Sequence, residues 1–340
     1  MAIILSHSSA LAWWRNFTGN PDDLPVADVR RALNRSEADR SVVASLDRQG
    51  LPRPFQVLVE SRGSKLRSST FWGHSTDKPL SGLIRQTDLP QVFVVCPELC
   101  LMQNATGLDF AQLIELVCEF LGEYRIISED ETRYDQPRLC SKESIAYVLP
   151  LAKGIHGSNR IRAVLKHAEE GSASPQETRS FLKLSLPNSR GGLSVSRILM
   201  NHPIPLDRKN AKLLGKDHCR IDLYLPDLNR GIEYDSYQEH LGKARHDDDA
   251  MRRTVLESLG IPVSVLTHAQ TQSPELMEAL VKSLYHGTGR VLRIRCKGFR
   301  EKQDKLWKQL DGKKPQRLSA EEESSDELQV PLEVYDTWAP

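Results

Sequence analysis

A chain of 340 residues, 39% hydrophobic and 27% charged, reads as an ordinary soluble globular protein with length for about two domains, each with its own core. Its formal net charge of +1 excludes a global pull toward nucleic acid, so binding of that kind has to come from local clusters. No apolar run approaches the ~20 residues of a membrane span, and Met1-Ala-Ile-Ile-Leu5 is too short for a secretory signal, which points to a cytoplasmic protein with no membrane contact.

In chain order, Ser6-His-Ser-Ser-Ala-Leu-Ala-Trp-Trp-Arg15 predicts a helix with a Ser cap region and core aromatics, in which His7 is a capping or packing residue. Short helices are expected at 26–33 and 39–46. Leu51-Pro-Arg-Pro54 then breaks the chain before a strand at Phe55-Gln-Val-Leu-Val59. Residues 62–76 mix Arg, Lys and Ser around Phe71-Trp72, either a solvated loop or a segment that touches phosphates. Val92-Phe-Val-Val-Cys96 reads as a buried strand, and Pro97 fits the first turn of the next helix, where its missing N–H is harmless. A further helix, Asp109–Glu123, places Phe110, Leu113, Ile114, Val117 and Leu121 on one stripe. Ser141-Lys-Glu-Ser-Ile-Ala-Tyr opens another. The six cysteines are scattered with no Cys-x-x-Cys, which argues for reduced thiols and against zinc or a disulfide framework.

These elements define a domain over 1–150, and a second is expected over 155–287. It opens with a helix at 160–169 ended by Glu170-Gly171. Ser174-Pro-Gln-Glu177 is a capping box for the following helix; Glu177 either serves only as cap or adds a carboxylate to a site. A strand near Ile198–Ile204 precedes a hairpin, Arg220-Ile-Asp-Leu-Tyr-Leu225 and Gly231-Ile-Glu-Tyr-Asp235, joined by Pro-Asp-Leu-Asn-Arg. A long helix over 241–259, a strand over 261–267 and a last helix from Ser273 follow. The tail, 288–340, is basic and then acidic: Arg290–Lys314 forms either a phosphate-gripping or a solvated helix, and the acidic stretch 321–327 reads as disordered.

On the hairpin, the period of two puts Glu233 and Asp235 on one face, and an opposing Asp222 would make three converging carboxylates. Such a group is costly without a cation and suits a hard divalent ion, Mg²⁺ or Mn²⁺.

The order helix, three strands, helix, strand, helix, with acids on the middle strands, resembles the PD-(D/E)xK nuclease fold, and in particular the very-short-patch-repair endonuclease family. The residues carrying the resemblance are Asp222, Glu233-Tyr-Asp235, His240, Asp249-Ala-Met-Arg252 and Gly260-Ile-Pro-Val-Ser-Val-Leu266. The fold's usual lysine is here Asp235, Ser236 replaces the usual glycine, and Glu239 stands where the histidine is normally found. In the first half, Ser6-His-Ser-Ser-Ala10 and Cys96-Pro-Glu-Leu-Cys-Leu-Met-Gln-Asn-Ala105 resemble the regulators of type IV, abortive-infection toxin–antitoxin systems, without the winged-helix segment that often comes first.

The resemblance implies an α/β (α+β) chain: a restriction-endonuclease-like mixed sheet flanked by helices, preceded by a smaller mixed α/β domain. It implies a metal-dependent endonuclease of phage defence or DNA repair. Asp222, Glu233 and Asp235 would hold Mg²⁺ or Mn²⁺, His240 would act as general acid or base, Glu177 is a further catalytic candidate, and Lys243, Arg245, Arg252 and Arg253 would neutralise the backbone of a nucleic acid, DNA first. The alternatives are a non-catalytic nucleic-acid-binding regulator and an antitoxin-like protein with a toxin partner.

Overall fold

The computed structural model describes residues 3–27, 40–59, 67–75, 80–235 and 243–316, without the side chains of Arg40 and of residues 243–250. Most of the helix expected at 26–33, together with His240, the side chains of Lys243 and Arg245, and the acidic stretch 321–327, lies outside the described residues. The chain has an α/β fold divided into two units, Met1–Pro175 and Gln176–Pro340. Among the described residues no helix is long and apolar enough to cross a membrane, and all six cysteines are free.

The first unit is built on a five-stranded sheet of β1 (Ile3–Leu5), β2 (Phe55–Val59), β3 (Phe71–Ser75), β4 (Ile84–Gln86) and β5 (Val92–Val95), in the order β3-β2-β1-β5-β4. β1 is buried along its whole length and runs parallel to β5 and antiparallel to β2. Its helices are α1 (His7–Asn16), α2 (Arg40–Arg48), α3 (Pro97–Asn104), α4 (Phe110–Phe120), α5 (Lys142–Leu151) and α6 (Ser158–Leu165), with a small ribbon of β6 (Arg125–Ile126) and β7 (Thr132–Arg133). The apolar spacing of α4 buries Leu113, Ile114 and Val117 completely, as a stripe at helical period should. Trp14 of α1 is sealed and donates its indole N–H to the Val95 carbonyl at 2.8 Å, which ties the helix to β5. Glu119, buried in α4, is held by both Nε and Nη2 of Arg15, at 2.9 and 2.7 Å. The sequence reading puts residues 155–175 in the second domain, but α6 packs on α3 and α4, so they belong to the first unit.

The second unit opens with α7 (Pro175–Ser185) and carries a four-stranded sheet of β8 (Leu199–Pro205), β9 (His218–Leu225), β10 (Arg230–Asp235) and β11 (Val263–Thr267), in the order β11-β10-β9-β8. β8, β9 and β10 form an antiparallel run and β11 lies parallel to β10. The helices are α8 (Arg208–Leu214), a short insertion between β8 and β9 that the sequence pattern does not announce, then α9 (Lys243–Ser258), α10 (His268–Gln272), α11 (Pro274–Tyr285) and α12 (Phe299–Asp311). Ile204, Cys219 and Ile221 of the sheet pack against Leu256 of α9. Gly231 leaves room for side chains of the strands on either side of it: a Cβ there would stand 2.9 Å from Ile221 Cγ2 and 3.1 Å from Val263 Cγ2, so a larger residue would force these side chains to shift.

The basic tail is neither detached nor wholly solvated. α12 buries Phe299, Gln303, Leu306, Trp307 and Leu310, at offsets of four, seven, eight and eleven from the first, which is one helical face. The Trp307 indole and the Lys183 ammonium both donate to the Thr271 carbonyl at 3.0 Å, and Lys183 reaches Asp311 at 2.8 Å. Lys183 is fully sealed, a position a lysine tolerates only with such partners. The turn at Gly191 takes φ +92, and a Cβ there would collide with the Lys302 carbonyl of α12. Trp307→Ala is therefore expected to destabilise the protein by about 3–5 kcal/mol in urea denaturation, the range for emptying a buried aromatic site; a loss under about 1 kcal/mol would show that α12 is only draped on the surface.

Candidate functional site

The acids singled out in the sequence lie where β8, β9 and β10 run side by side. β8 and β9 pair Met200 with Leu223 and His202 with Ile221, which sets Asn201 opposite Asp222. β9 and β10 pair Leu223 with Ile232, so one further step sets Asp222 beside Glu233, where the ladder stops. A row of Asn201, Asp222 and Glu233 thus crosses three neighbouring strands.

The strands are not regular at that row. Asn201 adopts φ +46, a left-handed conformation that asparagine tolerates better than most residues. Ile221 and Tyr224, three residues apart, both pack toward the Ile204 cluster, and Tyr224 stacks on His202 at 5.2 Å between ring centres. Strict alternation would send them to opposite faces. Asp222 lies between them, and its Oδ2 accepts the Tyr234 backbone N–H at 2.9 Å.

Glu233 follows the other rule. Two residues from Gly231, it shares the face that meets α9, where Arg252 reaches its Oε2 at 2.9 Å and Arg253 stands 3.9 Å from the same oxygen. The Glu233 carboxylate is only 6% exposed. A charge so sheltered has to be compensated, and the guanidinium does so. From the start of α7, Glu177 is also buried, and its Oε2 accepts the Asn201 amide at 2.6 Å.

The structure therefore brings Glu177, Asn201, Asp222 and Glu233 into neighbouring positions but gives each acid its own protein partner. The sequence reading expects Asp222, Glu233 and Asp235 to converge on one cation; among the described residues no three Asp, Glu, His or Cys side chains are grouped to hold a metal ion. Asp235, at the end of β10, is exposed. Arg252 and Arg253, expected on a nucleic acid backbone, are directed at Glu233. Two residues at this end of the sheet escaped the sequence reading. Asn201 had one usable signal, an asparagine inside a strand. His268 had none; its Nδ1 lies 3.2 Å from the Tyr234 hydroxyl. Burial, and then the nearby Asp235, pushes the Tyr234 phenol up from its ordinary value.

Comparison with protein-family models, with curated proteins and with solved structures finds no match to this chain.

The Glu177–Asn201 contact is directly testable. Asn201→Asp exchanges the donating amide for a second carboxylate. Stability should fall by about 1–3 kcal/mol at neutral pH and the deficit should narrow as the pH drops toward about 4, where one acid of the pair accepts a proton. Equal stability of the two proteins in denaturation at neutral pH would remove the contact from the account.

Proposed function

We propose that the second unit is a nuclease-like domain acting on nucleic acid phosphodiesters, with Glu177, Asp222 and Glu233 as its acidic row. The observation that supports this reading is the register setting Asp222 beside Glu233 on adjacent strands, with Glu177 bonded to the same row through Asn201. The element order also follows the nuclease resemblance apart from two short insertions: α7, then β8, β9 and β10 with α8 between the first two, then α9, β11, the short α10 and α11.

A divalent cation does not fit the row as it stands. The donors are hard oxygens of the type that Mg²⁺ or Mn²⁺ takes, but among the described residues no three of them are grouped to hold an ion, and Arg252 already holds Glu233. No catalytic step is assigned to a metal for that reason.

The same ion pair favours a second reading, a nucleic-acid-binding regulator or antitoxin-like protein that retains the fold without its chemistry. A carboxylate neutralised by arginine is then a structural residue. Cleavage of single- and double-stranded DNA and RNA with Mg²⁺ or Mn²⁺, run on the wild type beside Glu233→Gln, separates the two. Cleavage by the wild type with a loss of about a hundredfold or more in the variant, about 2.7 kcal/mol of barrier, supports the nuclease. Binding by both proteins with cleavage by neither supports the regulator, and cleavage by both at equal rates overturns the role given to Glu233.

A further inference from the structure

The basic, aromatic segment that ends in β3 has no part in the acidic row, and its geometry is that of a binding platform within the first unit. Four planar groups form a continuous pile. The Arg67 guanidinium lies 4.8 Å from the centre of the Trp72 ring. Trp72 and His74 are nearly parallel, 12° apart, with centres at 6.1 Å, and His74 stacks on His7 at 3.7 Å.

Each member is held in place by the surrounding chain. Arg67 and Trp72 are bridged across a tight loop in which Ser68 Oγ accepts the N–H groups of Thr70 and Phe71, while the Ser68 N–H donates to the Phe71 carbonyl. Gln56, on the neighbouring strand, accepts from His74 Nε2 at 2.9 Å and donates to the Ser8 hydroxyl at 2.6 Å. His7 takes a left-handed φ of +49 at the start of α1. Its N–H donates to Gln103 at 3.0 Å and its Nδ1 meets the Ser6 hydroxyl at the same distance. A strained histidine fixed by two hydrogen bonds orients its ring more firmly than a loop would.

The outer end of the pile is open. Trp72 is 39% exposed, and an open groove of about 310 Å³ is lined by Arg67, Ser68 and Trp72. That volume is at the small end for ligand sites and suits one flat ring system with a short polar arm. Burial first, and then a neighbouring basic group, His74 beside His7 and Arg67 beside His74, lowers the proton affinity of both imidazoles, that of His7 to about 3, so the rings stay neutral near pH 7 and Arg67 supplies the charge of the pile.

We propose that this pile is a site for an unpaired nucleotide, with the base stacked on Trp72 in place of the exposed Arg67 guanidinium, which swings aside to meet the phosphate. An indole with a guanidinium lying over its ring offers sequence-tolerant stacking together with an anion partner, the combination by which single-stranded nucleic acid is held. A free mononucleotide and one nucleotide of a strand offer the same chemistry. The site lies within the first unit and stands apart from the reading of the acidic row.

The full chain is titrated, by fluorescence anisotropy, against labelled single-stranded dT and rU oligomers and the corresponding duplexes, with AMP as competitor. The wild type should bind the single strands. Trp72→Ala should weaken that binding about tenfold or more, and Trp72→Phe should stay within about threefold. Arg67→Ala, on an exposed loop and so not expected to disturb folding, should weaken binding and flatten its salt dependence. Displacement by AMP makes the mononucleotide sufficient; a Trp72-dependent complex that AMP does not displace makes the strand the ligand. Absence of single-strand binding, or a folded Trp72→Ala protein that binds as the wild type does, overturns the proposal.

Discussion

A carboxylate nearly closed off from water must meet a positive charge, and the second unit is arranged so that Glu233 meets Arg252. The pair ties β10 to α9. Gly231, two residues earlier, leaves room for Ile221 and Val263 of the strands on either side. Asp222, at the neighbouring position, is spent on the Tyr234 N–H where the ladder ends. The end of the sheet is thus fixed by two acids that solve different problems, one of charge and one of an unsaturated backbone donor.

Much of the framework was legible because it depends on local period. The α4 stripe, the hairpin over 220–235 with its Pro-Asp-Leu-Asn connection and, α8 apart, the order of strands and longer helices around it follow from apolar spacing and turn chemistry. The partner taken by Asp222 was not legible, since it is a backbone group twelve residues away. The domain boundary was missed for a related reason. α6 is amphipathic in either domain, and only its contacts with α3 and α4 say which core it completes. For α12 the lysines and arginines drew attention from the spacing of Phe299, Leu306, Trp307 and Leu310, which was on view throughout.

Both units pair buried acids, Glu119 with Arg15 in the first, but the polar groups differ elsewhere. In the second, the buried acids are answered one by one: Glu233 by Arg252, Glu177 by Asn201, and Glu278 by Arg300 and Gln303. In the first, flat side chains are aligned by Gln56, Ser68 and Gln103, and the outermost rings are left facing solvent. The former arrangement resists change; the latter leaves room for a visitor.

The link between Lys183 and Asp311 spans 128 positions of chain. During synthesis α7 leaves the ribosome long before α12, and until Asp311 and Trp307 arrive a lysine destined for the interior has to remain hydrated. The first unit can close its core while the second still waits for its final helix, so the second should be the slower to form and the more exposed to chaperones and proteases on the way.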